Sequence, residues 1–273
     1  MIRPLLSWAS HLYLFAAILY LAYFVRPHLR LARGALAALG LGFLAHALVI
    51  AQVFFGNRYS PIGNSAEAFS FLGWLLAGGF LFAQKRYKLP ALGAFVVPLV
   101  VAIMLPAVLM RAEPRPLPRA VELAGMPVHV VIAFVGIAAF GLAAGMSVAY
   151  LLLERQMKSK RFGMLFSRLP SLQVLDEMAS RFTRWGFVAL SVTLLTGAVF
   201  AKLAWGDFWR WDPKLTLSLG GWLVYAGLVH LRLFAGWRGR RAAVLTVVGF
   251  AILFGSFVGL KLFPIGLHTG DFQ

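Results

Sequence analysis

The 273-residue chain contains no cysteine. It can form no disulfide, no thiolate metal site and no thioether bond of its own, which excludes a thiol-redox role. Acidic residues are nearly as scarce: nine aspartates and glutamates face 26 lysines and arginines, for a net charge of +17. No pair of carboxylates falls inside an apolar run and no inverted repeat is visible, so a small-solute transporter has little support. No acid–base constellation is visible either, so any chemistry rests on positioning. Polar surface is also short. With 61% hydrophobic residues and a mean hydropathy of +0.82, the chain exceeds the roughly half-apolar composition of soluble domains. A soluble helical bundle would have too little to face water.

What the chain has instead is apolar runs of about 20 residues, each long enough to cross a ~30 Å hydrocarbon core as a helix. We read eight, at 7–25, 34–54, 66–84, 89–110, 127–153, 185–203, 216–235 and 242–263. Backbone groups in lipid must be satisfied internally, so these runs are helices. The expected fold is all-α: one polytopic membrane domain over 1–273. The first run has no small-residue cleavage site after it and reads as a retained helix, not a signal peptide. The charge could suggest nucleic acid, but its placement argues for topology. Arg26, Arg30 and Arg33 fall in the first loop, and Lys85, Arg86 and Lys88 in the third. Arg155, Lys158, Lys160, Arg161, Arg168, Arg181 and Arg184 fall in the fifth, and Arg232, Arg238, Arg240 and Arg241 in the seventh. Four alternate loops thus hold seventeen of the 26 basic residues. The positive-inside rule makes these loops cytoplasmic and both termini external.

Three connections are longer than the rest. Residues 111–126 contain Pro114, Pro116 and Pro118, which favour a stiff, extended external loop. Residues 154–184 form a basic cytoplasmic loop. Within it Leu172, Leu175, Met178, Ala179 and Phe182 recur at helical spacing behind Ser171, predicting a capped, surface-lying amphipathic helix. The third is an external tryptophan-rich loop at 203–215, closed by Pro213.

That loop reads Trp205-Gly-Asp-Phe-Trp209-Arg-Trp211-Asp212-Pro. It places four aromatics in seven positions and holds three of the chain's eight tryptophans. Such a segment at a membrane surface is a flat, amphipathic platform. It suits a large planar ligand, apolar in the middle and anionic at its edge, and haem matches that description. Topology sorts the six histidines. His28 lies in a basic loop and His11 near an interface. His129 opens the fifth span and His268 follows the eighth, both on the face that carries the aromatic loop. Two neutral imidazoles on opposite sides of an iron are a common haem ligation. The competing reading is interfacial aromatics with stray histidines. His46 and His230 lie within spans, where an ionisable group is a functional candidate; the alternative is a hydrogen bond to a neighbouring helix. Helical rise puts His230 ~21 Å from the outer end of its span and His46 ~18 Å from the inner end of its own. One iron would need tilted helices to use both.

The run Trp205–Pro213, with Lys214-Leu-Thr and then Trp222-Leu-Val-Tyr225-Ala-Gly-Leu-Val-His230-Leu-Arg232, resembles the tryptophan-rich WWD signature of the haem-handling proteins. Within that superfamily the chain is similar to the CcsA (ResC) family of System II cytochrome c biogenesis. Pro61-Ile-Gly-Asn64-Ser-Ala-Glu67-Ala-Phe-Ser-Phe-Leu-Gly-Trp74 resembles the family's segment at the third span, Leu169-Pro-Ser-Leu172 the one before the sixth, and Gly236-Trp237-Arg238-Gly-Arg-Arg-Ala-Ala the turn before the last. The resemblance implies haem b as transported substrate. It implies His129 and His268 as external iron ligands flanking Trp205, Trp209, Trp211 and Asp212, and His230 as the ligand of a haem in transit. Arg210, Lys214 and Lys202 are candidates for the propionates. It further implies a bacterial-type cytoplasmic membrane, a CcsB (ResB)-type membrane partner, a thiol-reducing partner and apocytochrome c as client. The chain would be the haem-handling subunit of a holocytochrome c synthase complex. Where the family often has Asp-Pro-Lys-Glu-Thr, this chain has Leu215. That leucine resembles the related CcmC branch, which delivers haem to a chaperone. A HemX-type regulator of tetrapyrrole synthesis, working through the basic 154–184 segment, shares the eight-span plan.

Overall fold

The structure, a computed structural model, describes residues 2–56, 64–110, 125–160 and 163–262. Its helices are α1 (Ile2–Val25), α2 (Leu29–Ala51), α3 (Ser65–Tyr87), α4 (Gly93–Leu109), α5 (Met126–Lys158), the short α6 (Met164–Arg168), α7 (Leu172–Trp205), α8 (Pro213–Phe234) and α9 (Arg240–Leu262). Eight are long and apolar enough to cross a membrane. The fold is all-α and polytopic, as the apolar runs predict.

Local chemistry sets the helix ends. Asn64 and Glu67 form a reciprocal capping box at the start of α3: the Asn64 side chain accepts from the Glu67 amide at 2.9 Å, and the Glu67 carboxylate accepts from the Asn64 amide at 3.3 Å. This satisfies two amides that the first helical turn leaves without partners. Gly206, at φ 83°, ends α7 in the left-handed conformation that a side chain would strain.

α5 is the centre of the bundle, with 67% of its 18-residue apolar stretch buried. Lipid is as apolar as leucine, so helices associate through close packing and small residues. A Cβ on Gly136 would lie 3.3 Å from Ala189 of α7, and one on Gly145 would lie 3.1 Å from Val96 of α4. Phe140 of α5 stacks on Tyr225 of α8 with centroids 3.6 Å apart. By contrast, only 11% of the 18-residue apolar stretch of α7 and 17% of that of α8 are buried. These two helices form the open side of the molecule.

One expectation changes. The amphipathic stripe at 172–182 is not a separate surface-lying helix; it forms the first turns of α7, a single helix of 34 residues. No helix breaker separates Arg184 from the apolar run that follows. The stripe faces protein, with Leu175 0%, Met178 2%, Ala179 2% and Phe182 3% exposed in the main core. At 1.5 Å per residue α7 is about 51 Å long, more than the ~30 Å core requires. The 154–184 segment is therefore mostly helix: the end of α5, α6, and the start of α7.

The basic-loop end of α7 is tied to α8 by a part-buried ion pair. Arg232 donates through both terminal nitrogens to Asp176, at 3.0 and 3.3 Å, and the Gly239 amide adds a third bond at 3.2 Å. The fork-to-fork geometry fixes both partners.

Candidate functional site

The first turn of α5 and the last third of α7 build a niche for His129. Gly125, at φ 94°, and Pro127 start α5 just ahead of it. The imidazole Nδ1 lies 2.7 Å from Thr196 Oγ1. The Thr196 hydroxyl itself donates to the Val192 carbonyl at 2.7 Å. Its one proton is therefore spent, and in the contact with His129 the Nδ1–H is the donor. With the Thr196 proton given to Val192, the matching tautomer carries its proton on Nδ1 and leaves the Nε2 lone pair free, as a metal-ligating imidazole does. Among the described residues no group hydrogen-bonds Nε2. The ring is confined from the side as well. A Cβ on Gly197 would lie 3.2 Å from His129 Cε1, and Phe200 meets the ring edge-on with centroids 5.5 Å apart.

The tryptophan-rich connection is shorter than the sequence suggests, because α7 runs through Trp205 and α8 starts at Pro213. Asp212 caps α8. Its carboxylate accepts from the Lys214 amide at 2.9 Å, and the residue is only 2% exposed. Held between this cap and Gly206, the loop presents its rings outward. Trp211 is 83% and Phe208 60% exposed, and Trp209 meets Trp211 edge-to-face at 5.9 Å. Lys202 donates to the Gly206 carbonyl and lies over the Phe208 ring at 5.4 Å. Arg210 pairs with Asp207 at 3.7 Å on the exposed side, a contact of little strength in water. Lys214 lies within electrostatic range of His129, so the end of the loop and the imidazole share one neighbourhood.

The remaining histidines separate cleanly. His268 lies outside the described residues. His230 is exposed on the open face of α8, its ring 4.6 Å from Phe234. Gly220 and Gly227 on the same helix have open space where a Cβ would be, so no described residue crowds those two positions. His46 is fully buried; Nε2 lies 2.7 Å from Ser70 Oγ and Nδ1 3.3 Å from Tyr13 Oη. Both nitrogens are engaged, and His46 is a hydrogen-bonded link between α1, α2 and α3. His11 is exposed, its Nδ1 2.6 Å from the Ser7 carbonyl, and His28 precedes α2 without a side-chain cap.

Two features escape sequence reading. Thr196 orients His129 from 67 residues away, with no local motif to mark it. Asp176, the partner of Arg232, escapes it too, because nothing sets it apart from Glu154 and Glu177 in the same basic segment.

Fold and site together define a multi-pass helical membrane protein with an exposed aromatic loop and a histidine niche at the start of α5. A family model described as Cytochrome C assembly protein matches residues 34–268. The cytochrome c biogenesis protein CcsA of Synechococcus sp. (strain CC9902) is 32% identical over 256 residues, covering 83% of this chain and 84% of that protein. The CcsA protein of Synechococcus elongatus is 31% identical over 286 residues, covering 86% and 87%. That of Porphyra purpurea is 28% identical over 267 residues. The solved cytochrome c haem lyase CcmF shares the fold, with a TM-score of 0.67 and 18% identity; the match covers 96% of this chain and 49% of CcmF, so the chain spans about half of that structure. The chain belongs to the cytochrome c assembly protein family as a CcsA-type member, and its work is cytochrome c biogenesis.

Proposed function

We propose that the protein carries haem b through the bacterial cytoplasmic membrane and holds it at the outer face while apocytochrome c is attached. The observation that carries this reading is the niche of His129, whose Nδ1 lies 2.7 Å from Thr196 Oγ1 while no described group hydrogen-bonds Nε2. His129 ligates one axial position of the iron and His268 the other. The indoles of Trp205, Trp209 and Trp211 lie along the porphyrin and supply apolar contact at small entropic cost. Asp212 acts through its cap, which sets where the loop leaves α8. Lys214 is the best placed of the three candidate propionate partners, because its charge bears on His129.

The chain supplies position, not acid–base chemistry. With both axial sites filled, the iron is shielded while the porphyrin edge stays open to the client's thiols. Those thiols, reduced by a separate partner, belong to apocytochrome c; a chain without cysteine cannot compete for the haem edge. His230 ligates haem in transit. Its exposed face leaves the opposite axial ligand to a CcsB-type membrane subunit, and the two chains form the synthase. Seventeen basic residues in alternate loops support a tryptophan-rich loop and termini on the outer side.

The test is maturation of a c-type cytochrome in cells carrying His129→Ala or His268→Ala. Each variant should accumulate but mature no cytochrome, and exogenous imidazole should restore part of the yield. Normal maturation by both variants would remove the outer haem site.

A further inference from the structure

The sequence places Ser180, Thr183 and Arg184 at i, i+3 and i+4 on α7, and Val229, Arg232 and Leu233 at the same spacing on α8. Such triplets each occupy one helix face. In the fold the two faces meet, and the six residues line a cleft at the basic-loop end of the bundle.

Among the described residues the cleft offers unpaired donors and no free carboxylate. Asp176, the nearest carboxylate, is already occupied by Arg232 and the Gly239 amide. Arg232, locked by that pair, keeps its Nε buried and without a partner. Thr183 is 0% exposed, and its hydroxyl has no partner. Arg184 donates to Ser180 Oγ at 2.7 Å, so the Ser180 hydroxyl proton remains available. Arg184 forms no ion pair with any described carboxylate. Two guanidinium groups and two hydroxyls with protons to give are complementary to an oxyanion. Arg184 is exposed at the mouth of the cleft, where its charge is open to an incoming anion. Beside the cleft the surface is apolar: Val188 is 61% and Leu233 63% exposed.

We propose that this cleft binds the oxyanion of an amphiphile, a carboxylate or phosphate whose apolar part lies along the open face of α7 and α8. Basic pockets between spanning helices on the side that carries the basic loops hold anionic headgroups by the same chemistry. Two sources present it. One is a propionate of the haem at His230, which adjoins Val229 of the cleft and rests on the transit role proposed above. The other is the phosphate of an anionic phospholipid.

The experiment uses the full-length protein with its copurifying partners in mild detergent. A His129→Ala background removes the outer haem site. Arg184→Gln, Thr183→Val and His230→Gly are each introduced there. Bound phospholipid is measured by native mass spectrometry, and affinity is measured for haem and for haem dimethyl ester, whose carboxylates are blocked. Thr183→Val keeps shape and removes only the hydroxyl, so a folding defect cannot mimic its effect. If the oxyanion is a propionate, the parent binds haem about tenfold or more better than the ester, the size of a charge-assisted hydrogen bond. Arg184→Gln and Thr183→Val then narrow that ratio. If the oxyanion is a lipid phosphate, anionic phospholipid copurifies with the parent and is depleted in both variants, while the ratio stays near one. Parent-like lipid content and parent-like haem-to-ester ratio in both variants would overturn the proposal. If His230→Gly leaves haem affinity intact while Arg184→Gln still depletes the oxyanion, the transit role of His230 is wrong and the cleft stands.

Discussion

Replacing Thr196 by valine keeps the shape of the side chain and removes one oxygen. In the parent that oxygen accepts the Nδ1 proton of His129 at 2.7 Å while donating to Val192. Without it, nothing on α7 selects the Nδ1–H tautomer, and the ring can turn about its own axis or carry its proton on Nε2. Loss of such an outer partner lowers affinity for the ligated metal about 10–100-fold, or about 1.4–2.7 kcal/mol. The assay is a haem titration of His230→Gly protein, in which only the outer site remains, followed by absorbance. Thr196→Val should weaken binding by that factor, and Thr196→Ser, which keeps the hydroxyl, should recover most of it. A Thr196→Val affinity within about twofold of the parent would refute the orienting role, since the expected loss is at least ~10-fold. So would a serine variant as weak as valine, because the hydroxyl would then not be the cause.

The inner site predicts its own signature: His230→Gly should lower the haem content of the purified complex, with recovery on adding imidazole, while His129→Ala keeps the inner haem; unchanged haem in His230→Gly would reduce His230 to a bystander. Asp176→Asn leaves Arg232, whose side chain is 9% exposed, without its counter-charge. It should cost about 3–5 kcal/mol, seen as a lower melting temperature in detergent and reduced accumulation. A parent-like melt would show that the pair is dispensable. A reporter active only outside the cytoplasm should work when fused after Gln273, and activity of a cytoplasm-only reporter there would invert the topology.

The spans were legible because twenty-residue apolar runs admit one backbone solution in lipid. The helix between 172 and 205 was not legible as one piece. Its first part carries a helical stripe and its second an unbroken apolar run, so the two read as different objects. Only tertiary packing of Leu175 and Phe182 shows that they share an axis. His129 stood out because it opens a span on the face of the tryptophan-rich loop. Its tautomer did not, because that depends on a threonine on another helix. The depth of His46 within its span raised two readings, and only Ser70 and Tyr13 decide for the hydrogen-bonded one. The arrangement of Trp209 and Trp211 follows from Asp212 as a helix cap, a role that Asp-Pro before an apolar run does signal.

The most direct test of haem presentation at His129 is the absorption spectrum of the purified complex from a haem-replete host, recorded with and without reductant, beside that of His129→Ala. The parent should show a six-coordinate, low-spin haem, and the outer component should be lost in the variant and return with imidazole. A colourless parent, or a variant spectrum identical to the parent's, would contradict it.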